Sequence, residues 1–108
     1  MTSLSTHVLD TERGMPAPGV RVTLYRGERA LAEALTEHNG RIADLGGGAL
    51  ENGTYRLEFD LTTYLAAQGR AAPFLQRVLL EFRVDASQPH YHVPLLITAY
   101  ACTSYLGS

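Results

Sequence analysis

The chain's most concentrated chemistry is a pair of histidines one residue apart, His90 and His92, in the segment HYHVPLL. In an extended strand successive side chains point to opposite faces, so His90 and His92 share a face while Tyr91, Val93 and Leu95 take the other. Imidazoles titrate near pH 6.5 and can serve as acid or base at neutral pH. With a third histidine such as His7, the same pair could instead hold zinc with an open position. Pro94 follows at once. Proline has no N–H for a ladder, so it predicts an edge strand or a bulge, where side chains are often aimed at ligands.

Other groups narrow the chemistry by exclusion. All nine basic residues are arginine, which removes Schiff-base chemistry and lysine general bases. The proton carriers left near neutral pH are His7, His38, His90, His92, the amino terminus and the thiol of Cys102. His38 lies in a turn and reads as solvated surface. A lone cysteine excludes an intrachain disulfide framework and a cysteine-rich zinc site, and Cys102 reads as a small buried hydrophobe in a strand. No Gly-x-Ser-x-Gly elbow is present, and Asp10, His7 and Ser108 have no spacing that predicts a triad. A formal net charge of −2 with no basic run leaves nothing to neutralise nucleic-acid phosphates.

These groups need elements to hold them, and 108 residues fit one domain with one core, residues 1–108. Leu4 to Asp10 reads as a strand with Leu4, Thr6 and Val8 on one face and Ser5, His7 and Leu9 on the other. Glu12 to Gly19 is a proline- and glycine-rich loop. Val20 to Arg26 alternates again, and Ala30 to Thr36 is taken as a strand from its context, although its propensity favours helix. The turn His38-Asn39-Gly40 delivers Arg41 at the start of a short extended piece ending near Leu45. A loop covers Gly46 to Gly53, and Thr54 to Phe59 is a strand. Asp60 caps a short helix, Leu61 to Gln68, which Gly69 stops. Strands over Gln76–Val84, from His90, and over about Tyr100–Tyr105 complete the chain. Seven or eight short strands and one helix predict an all-β fold, an antiparallel β-sandwich. No run reaches the ~20 apolar residues of a membrane span and no targeting segment is apparent, so a cytoplasmic location is expected.

Three blocks are more specific than any single pair. LSTHVLDTERGMPAPGV, TEHNGR and YHVPLL with a terminal Tyr-x-Gly-Ser resemble, in order and over essentially the whole chain, the transthyretin-like family and its branch that hydrolyses 5-hydroxyisourate. The resemblance implies a transthyretin-like sandwich and a homotetramer, a dimer of dimers with sites in a channel between dimers. It also implies hydrolysis of 5-hydroxyisourate in urate breakdown, without metal or cofactor. Its catalytic residues fall on His7, Arg41, His92 and Ser108, with Arg41 and Tyr105 bordering the substrate; His90 is expected to pack or hydrogen-bond nearby. Leu106 stands where the family carries arginine, which bears on substrate affinity more than on the reaction. The alternative in the same fold is a non-catalytic small-ligand carrier like transthyretin. There a lysine, a glutamate and a threonine replace the residues matching His7, Arg41 and His92.

Overall fold

A computed structural model describes residues 1–108. Nine strands and one helix follow in chain order: β1 Ser3–Asp10, β2 Met15–Pro16, β3 Arg21–Arg26, β4 Arg29–Leu35, β5 Arg41–Ile42, β6 Gly53–Asp60, α1 Leu61–Ala67, β7 Arg77–Val84, β8 His90–Ile97 and β9 Cys102–Ser104. One sheet runs β4-β3-β6-β7 with every pairing antiparallel. The other runs β2-β1-β8-β9, and β5 also pairs with β1.

The two sheets stack because their strands alternate. Leu4 and Val8 of β1, Val22 and Leu24 of β3, Leu57 and Phe59 of β6, and Leu95 and Ile97 of β8 all point inward and are buried. Each such side chain stabilises the fold by about 1.5–3 kcal/mol relative to exposure. The β-sandwich with one short helix is therefore the observed architecture. One ladder departs from the antiparallel pattern: β1 and β8 pair in parallel from Ser3–His90 to Asp10–Ile97. They are joined through the entire second sheet, so no hairpin dictates their direction.

α1 forms where expected. The Asp60 carboxylate accepts from the Thr63 N–H at 3.1 Å and from its hydroxyl at 2.7 Å. Leu61, Tyr64 and Leu65 line its buried stripe, and Gly69, at φ +68°, ends it in the left-handed conformation glycine favours.

Three expectations are corrected. The Glu12–Gly19 loop contains β2, paired to Leu9 and Asp10. Cys102 is exposed rather than buried, because β9 is the sheet's edge. Pro94 neither ends a strand nor marks an edge: β8 runs unbroken through it, between β1 and β9. The His92 carbonyl accepts from the Gly107 N–H at 2.8 Å, so residues 92 and 94 both direct their backbone polar groups toward β9. The missing N–H of Pro94 thus falls on that side. There the ladder lapses between the Leu95–Ser104 pair and the isolated His92–Gly107 bridge, while the ladder to β1 continues through the proline.

Candidate active site

The parallel register of β1 and β8 brings the chemistry together. Ser3 lies beside His90, Ser5 beside His92 and His7 beside Pro94, all on the outer face of the sheet. On the other side of β1, Arg41 of β5 is the partner of His7. The turn before Arg41 is tightly held. The Gly40 carbonyl accepts from the Val8 N–H at 2.8 Å, and the Arg41 N–H donates to Asn39 Oδ1 at 3.0 Å. Gly40 has φ +78°, and a Cβ there would meet the Val8 carbonyl oxygen at 2.4 Å, so only glycine fits.

Hydrogen bonds orient both imidazoles. His7 Nε2 lies 2.9 Å from the Asn39 carbonyl oxygen. A carbonyl can only accept, so Nε2 carries the hydrogen and Nδ1 presents its lone pair. His92 Nδ1 contacts Ser5 Oγ at 2.7 Å, and the same Oγ contacts His90 Nε2 at 2.7 Å. His90 Nδ1 in turn contacts Ser3 Oγ. Nε2 of His92 has no partner within the chain. Gly107 packs on the edge of that ring: a Cβ at this position would lie 2.6 Å from His92 Cδ2.

The electrostatics favour neutral bases. Burial lowers the pKa of His7 below the ordinary imidazole value, and the charge of Arg41 lowers it further, against the raising effect of the Asn39 hydrogen bond. Burial likewise lowers His92, followed by Arg41, His7 and His90. Arg41 is exposed and forms no ion pair, whereas Arg21, Arg26, Arg70 and Arg77 each face a carboxylate. A pair of neutral imidazoles beside an unneutralised guanidinium can take a proton from water and stabilise an oxyanion.

The residues singled out from the sequence divide into two groups. His7, Arg41 and His92 come together, and His90 hydrogen-bonds beside them. Ser108 directly follows the Gly107 that bridges His92; it is exposed and forms no hydrogen bond within the chain. Tyr105 is exposed and lines an apolar cleft of about 290 Å³ with Leu80, Phe82, Tyr91, Val93 and Leu106. None of the four histidines lines that cleft. His38 is exposed in its turn. The zinc set considered from the sequence does not form, since no three histidine, cysteine or carboxylate side chains converge to hold an ion. Both nitrogens of His90, and one each of His7 and His92, contact serines or a carbonyl instead. Ser3, Ser5, Asn39 and Gly107 are the contributors that sequence reasoning passed over. The alternation of SLSTH put both serines on the His7 face, but only the β1–β8 register shows that they meet His90 and His92.

Comparison with known proteins places the chain among relatives of the same fold. Over 117 aligned residues the chain is 40% identical to the 5-hydroxyisourate hydrolase of Pseudomonas aeruginosa, covering 100% of this chain and 93% of the relative. The solved structure of Klebsiella pneumoniae 5-hydroxyisourate hydrolase superposes with a TM-score of 0.92 at 37% identity, covering both chains completely. Transthyretin from Sparus aurata gives a TM-score of 0.84 at 25% identity, covering 96% of this chain and 95% of that one. Residues 4–107 match the model described as HIUase/Transthyretin family. With its fold and a match over nearly its whole length, the chain belongs to the HIUase/Transthyretin family.

Proposed function

We propose that this protein hydrolyses 5-hydroxyisourate in urate degradation, opening the six-membered ring to give 2-oxo-4-hydroxy-4-carboxy-5-ureidoimidazoline without metal or cofactor. One observation carries the reading: His7, Arg41 and His92 share one sheet face in a chain similar over its full length to proteins of that name. Water attacks a ring amide carbonyl, and His92, neutral at pH 7 and with Nε2 unpartnered, takes its proton. Arg41 stabilises the charge developing on the carbonyl oxygen and grips the urea-like edge of the substrate through its planar donors. His7 and Ser108 orient the water or pass a proton to the leaving nitrogen, and Tyr105 borders the substrate.

The unit that works is a single transthyretin-like domain, residues 1–108, assembled as a homotetramer, a dimer of dimers with its sites in the channel between dimers. Two features support assembly. The face bearing His7, Arg41 and His92 is open, and none of the three lines a concavity of the isolated chain. The edge strands β7 and β9 leave their outer ladders unpaired, with Leu79, Tyr105 and Leu106 exposed nearby. Sedimentation showing a stable, fully active monomer overturns the tetramer. No helix is long and apolar enough to cross a membrane. The cytoplasmic location expected from the sequence belongs to the same proposal, and cell fractionation tests it.

The deciding experiment mixes the purified protein with freshly generated 5-hydroxyisourate and follows its absorbance. Decay far faster than the spontaneous rate is expected. Decay at the spontaneous rate, with the ligand still bound, leaves the small-molecule carrier reading instead. Removing Ser108 alone is expected to lower kcat with little change in Tm; unchanged turnover removes that residue from the mechanism.

A further inference from the structure

The side chains Ser3, His90, Ser5 and His92 form one continuous row of hydrogen bonds between β1 and β8, from the outer end of the sheet to the catalytic face. Every member can both donate and accept, so the row has two possible polarities. One end favours one of them. Ser3 Oγ also approaches the Pro89 carbonyl oxygen at 3.5 Å, and a carbonyl only accepts. With the Ser3 proton directed there, Ser3 Oγ must accept from His90 Nδ1–H. His90 Nε2 is then bare and accepts the Ser5 hydroxyl proton. Ser5 Oγ, having donated, accepts from His92 Nδ1–H. The proton of His92 is thereby held on Nδ1, and Nε2 is left as a lone pair.

We propose that His90 is a positioning residue of this site, acting through Ser5 to fix the His92 tautomer whose Nε2 can accept a proton from water. The inference rests on the reading of His92 as the general base. It assigns a role to the first histidine of the His-x-His pair that the reaction itself leaves without one. The charged and titratable groups around His92 are Arg41 from β5, His7 from β1 and His90 on its own strand. None of them hydrogen-bonds His92 directly, so Ser5 is the contact through which the tautomer is set.

Two-bond proton–nitrogen correlation spectra of nitrogen-15-labelled protein, recorded above neutral pH without substrate, report which ring nitrogen of His92 carries hydrogen. The wild-type chain is expected to show the Nδ1–H form. His90→Phe and Ser5→Ala should shift His92 toward Nε2–H. His90→Gln, whose side-chain carbonyl can accept the Ser5 proton, should keep Nδ1–H. His90 is exposed, so its replacement leaves the core untouched. On 5-hydroxyisourate, His90→Phe and Ser5→Ala should lose roughly 10–100-fold in kcat, the scale known for partners that orient a metal-bound histidine. KM should change little, and His90→Gln should recover most of the rate. A wild-type Nε2–H tautomer, a tautomer indifferent to both variants, or an undiminished kcat in both overturns the inference. A wild-type protein with the expected tautomers and variant shifts but no turnover of 5-hydroxyisourate sinks the hydrolase reading while supporting the hydrogen-bonded row.

Discussion

The polar groups on the two faces of β1 are finished in opposite ways. Asp10 points inward and is fully buried. It accepts from the Tyr64 hydroxyl at 2.8 Å, from the Arg70 guanidinium and from the Arg13 N–H at 3.3 Å. Arg70 also donates to Glu12 at 3.0 Å, and Glu12 accepts from the Ala99 N–H at 2.6 Å. The network ties β1, the end of α1 and the turn after β8 into one block. On the outer face, His7 and His92 each keep a ring nitrogen without a partner, and Arg41 has no carboxylate. The difference lies in where each guanidinium acts. Arg70 answers a carboxylate and stabilises the fold, whereas Arg41 faces imidazoles whose pKa values burial lowers first and its charge lowers further. A satisfied buried network builds structure; one left short of partners beside solvent can do chemistry.

The sharpest way to break the comparison is to remove one member from each side. His92→Ala should lower kcat on 5-hydroxyisourate by roughly 10²–10⁴-fold, the contribution of a positioned general base, with Tm nearly unchanged. Asp10→Ala should do the reverse. It removes the acceptor that the Tyr64 hydroxyl and Arg70 share, leaving Arg70, about a quarter exposed, only Glu12 and Gln68, at a cost of roughly 2–4 kcal/mol in urea unfolding. The folded fraction should keep its kcat. A large stability loss in His92→Ala, or a kcat loss in folded Asp10→Ala, removes the distinction between the two faces.

Much of this was legible in the sequence because period-two alternation is local. SLSTHVLD assigns Leu4, Thr6 and Val8 to one face and His7 to the other, and the structure agrees. The helix was legible from Asp60 and Gly69, and the blocks around His7, Arg41 and His92 were specific enough to indicate the family. What could not be read was the parallel pairing of β1 with β8. Those strands are separated by the whole second sheet, and nothing local encodes their register. Hence Ser3 and Ser5 passed unnoticed beside His90 and His92. Pro94 was misplaced for the same reason, because its effect depends on which neighbour its missing N–H would have faced. Cys102 was misread because strand propensity does not tell an edge strand from a central one. Asp10, the end of a strand and a member of no predictable triad, meets Tyr64 and Arg70 more than fifty residues away.

A smaller effect is expected at Gly107, where the outer face depends on shape rather than charge. Its N–H donates to the His92 carbonyl, and its Cα leaves no room for a Cβ against the ring. Its φ is not in the left-handed region, so contact with His92 is the only obstacle to alanine. Because Ser5 holds the ring at Nδ1, the added methyl must tilt the imidazole or lift the terminal segment. Gly107→Ala should therefore lower kcat about tenfold, since small misplacements of a catalytic group are costly. Unfolding free energy should scarcely change, because the chain end contributes little to the core. A kcat equal to wild type would show that the terminal segment does not position His92.

The mildest perturbation is pH, which should separate the two faces without any mutation. His7 and His92 have folded pKa values below 6.5, so both are neutral at pH 7, and turnover should hold through 6.5 and fall only at lower pH as His92 protonates. Their unfolded forms bind protons first, so each also contributes stability that is complete above 6.5 and is lost as pH falls through the folded value. That loss is modest, because both rings are only partly buried. Burial raises the pKa of Asp10, but the hydrogen bonds from Arg70 and Tyr64 outweigh it and hold the carboxyl below 3.8. Its contribution is therefore complete above 3.8 and disappears only as pH falls through the lower folded value. Between the two windows the protein should be folded, inactive and fully recoverable on return to pH 7, as read by circular dichroism alongside the absorbance assay. Arg41→Met should move the acid limb of activity upward toward 6.5, since removing the cation lets both imidazoles protonate more readily, while the acid-unfolding midpoint stays in place. An activity limb that stayed fixed in Arg41→Met, or one that coincided with unfolding in the wild type, would show that the two faces of β1 do not titrate independently.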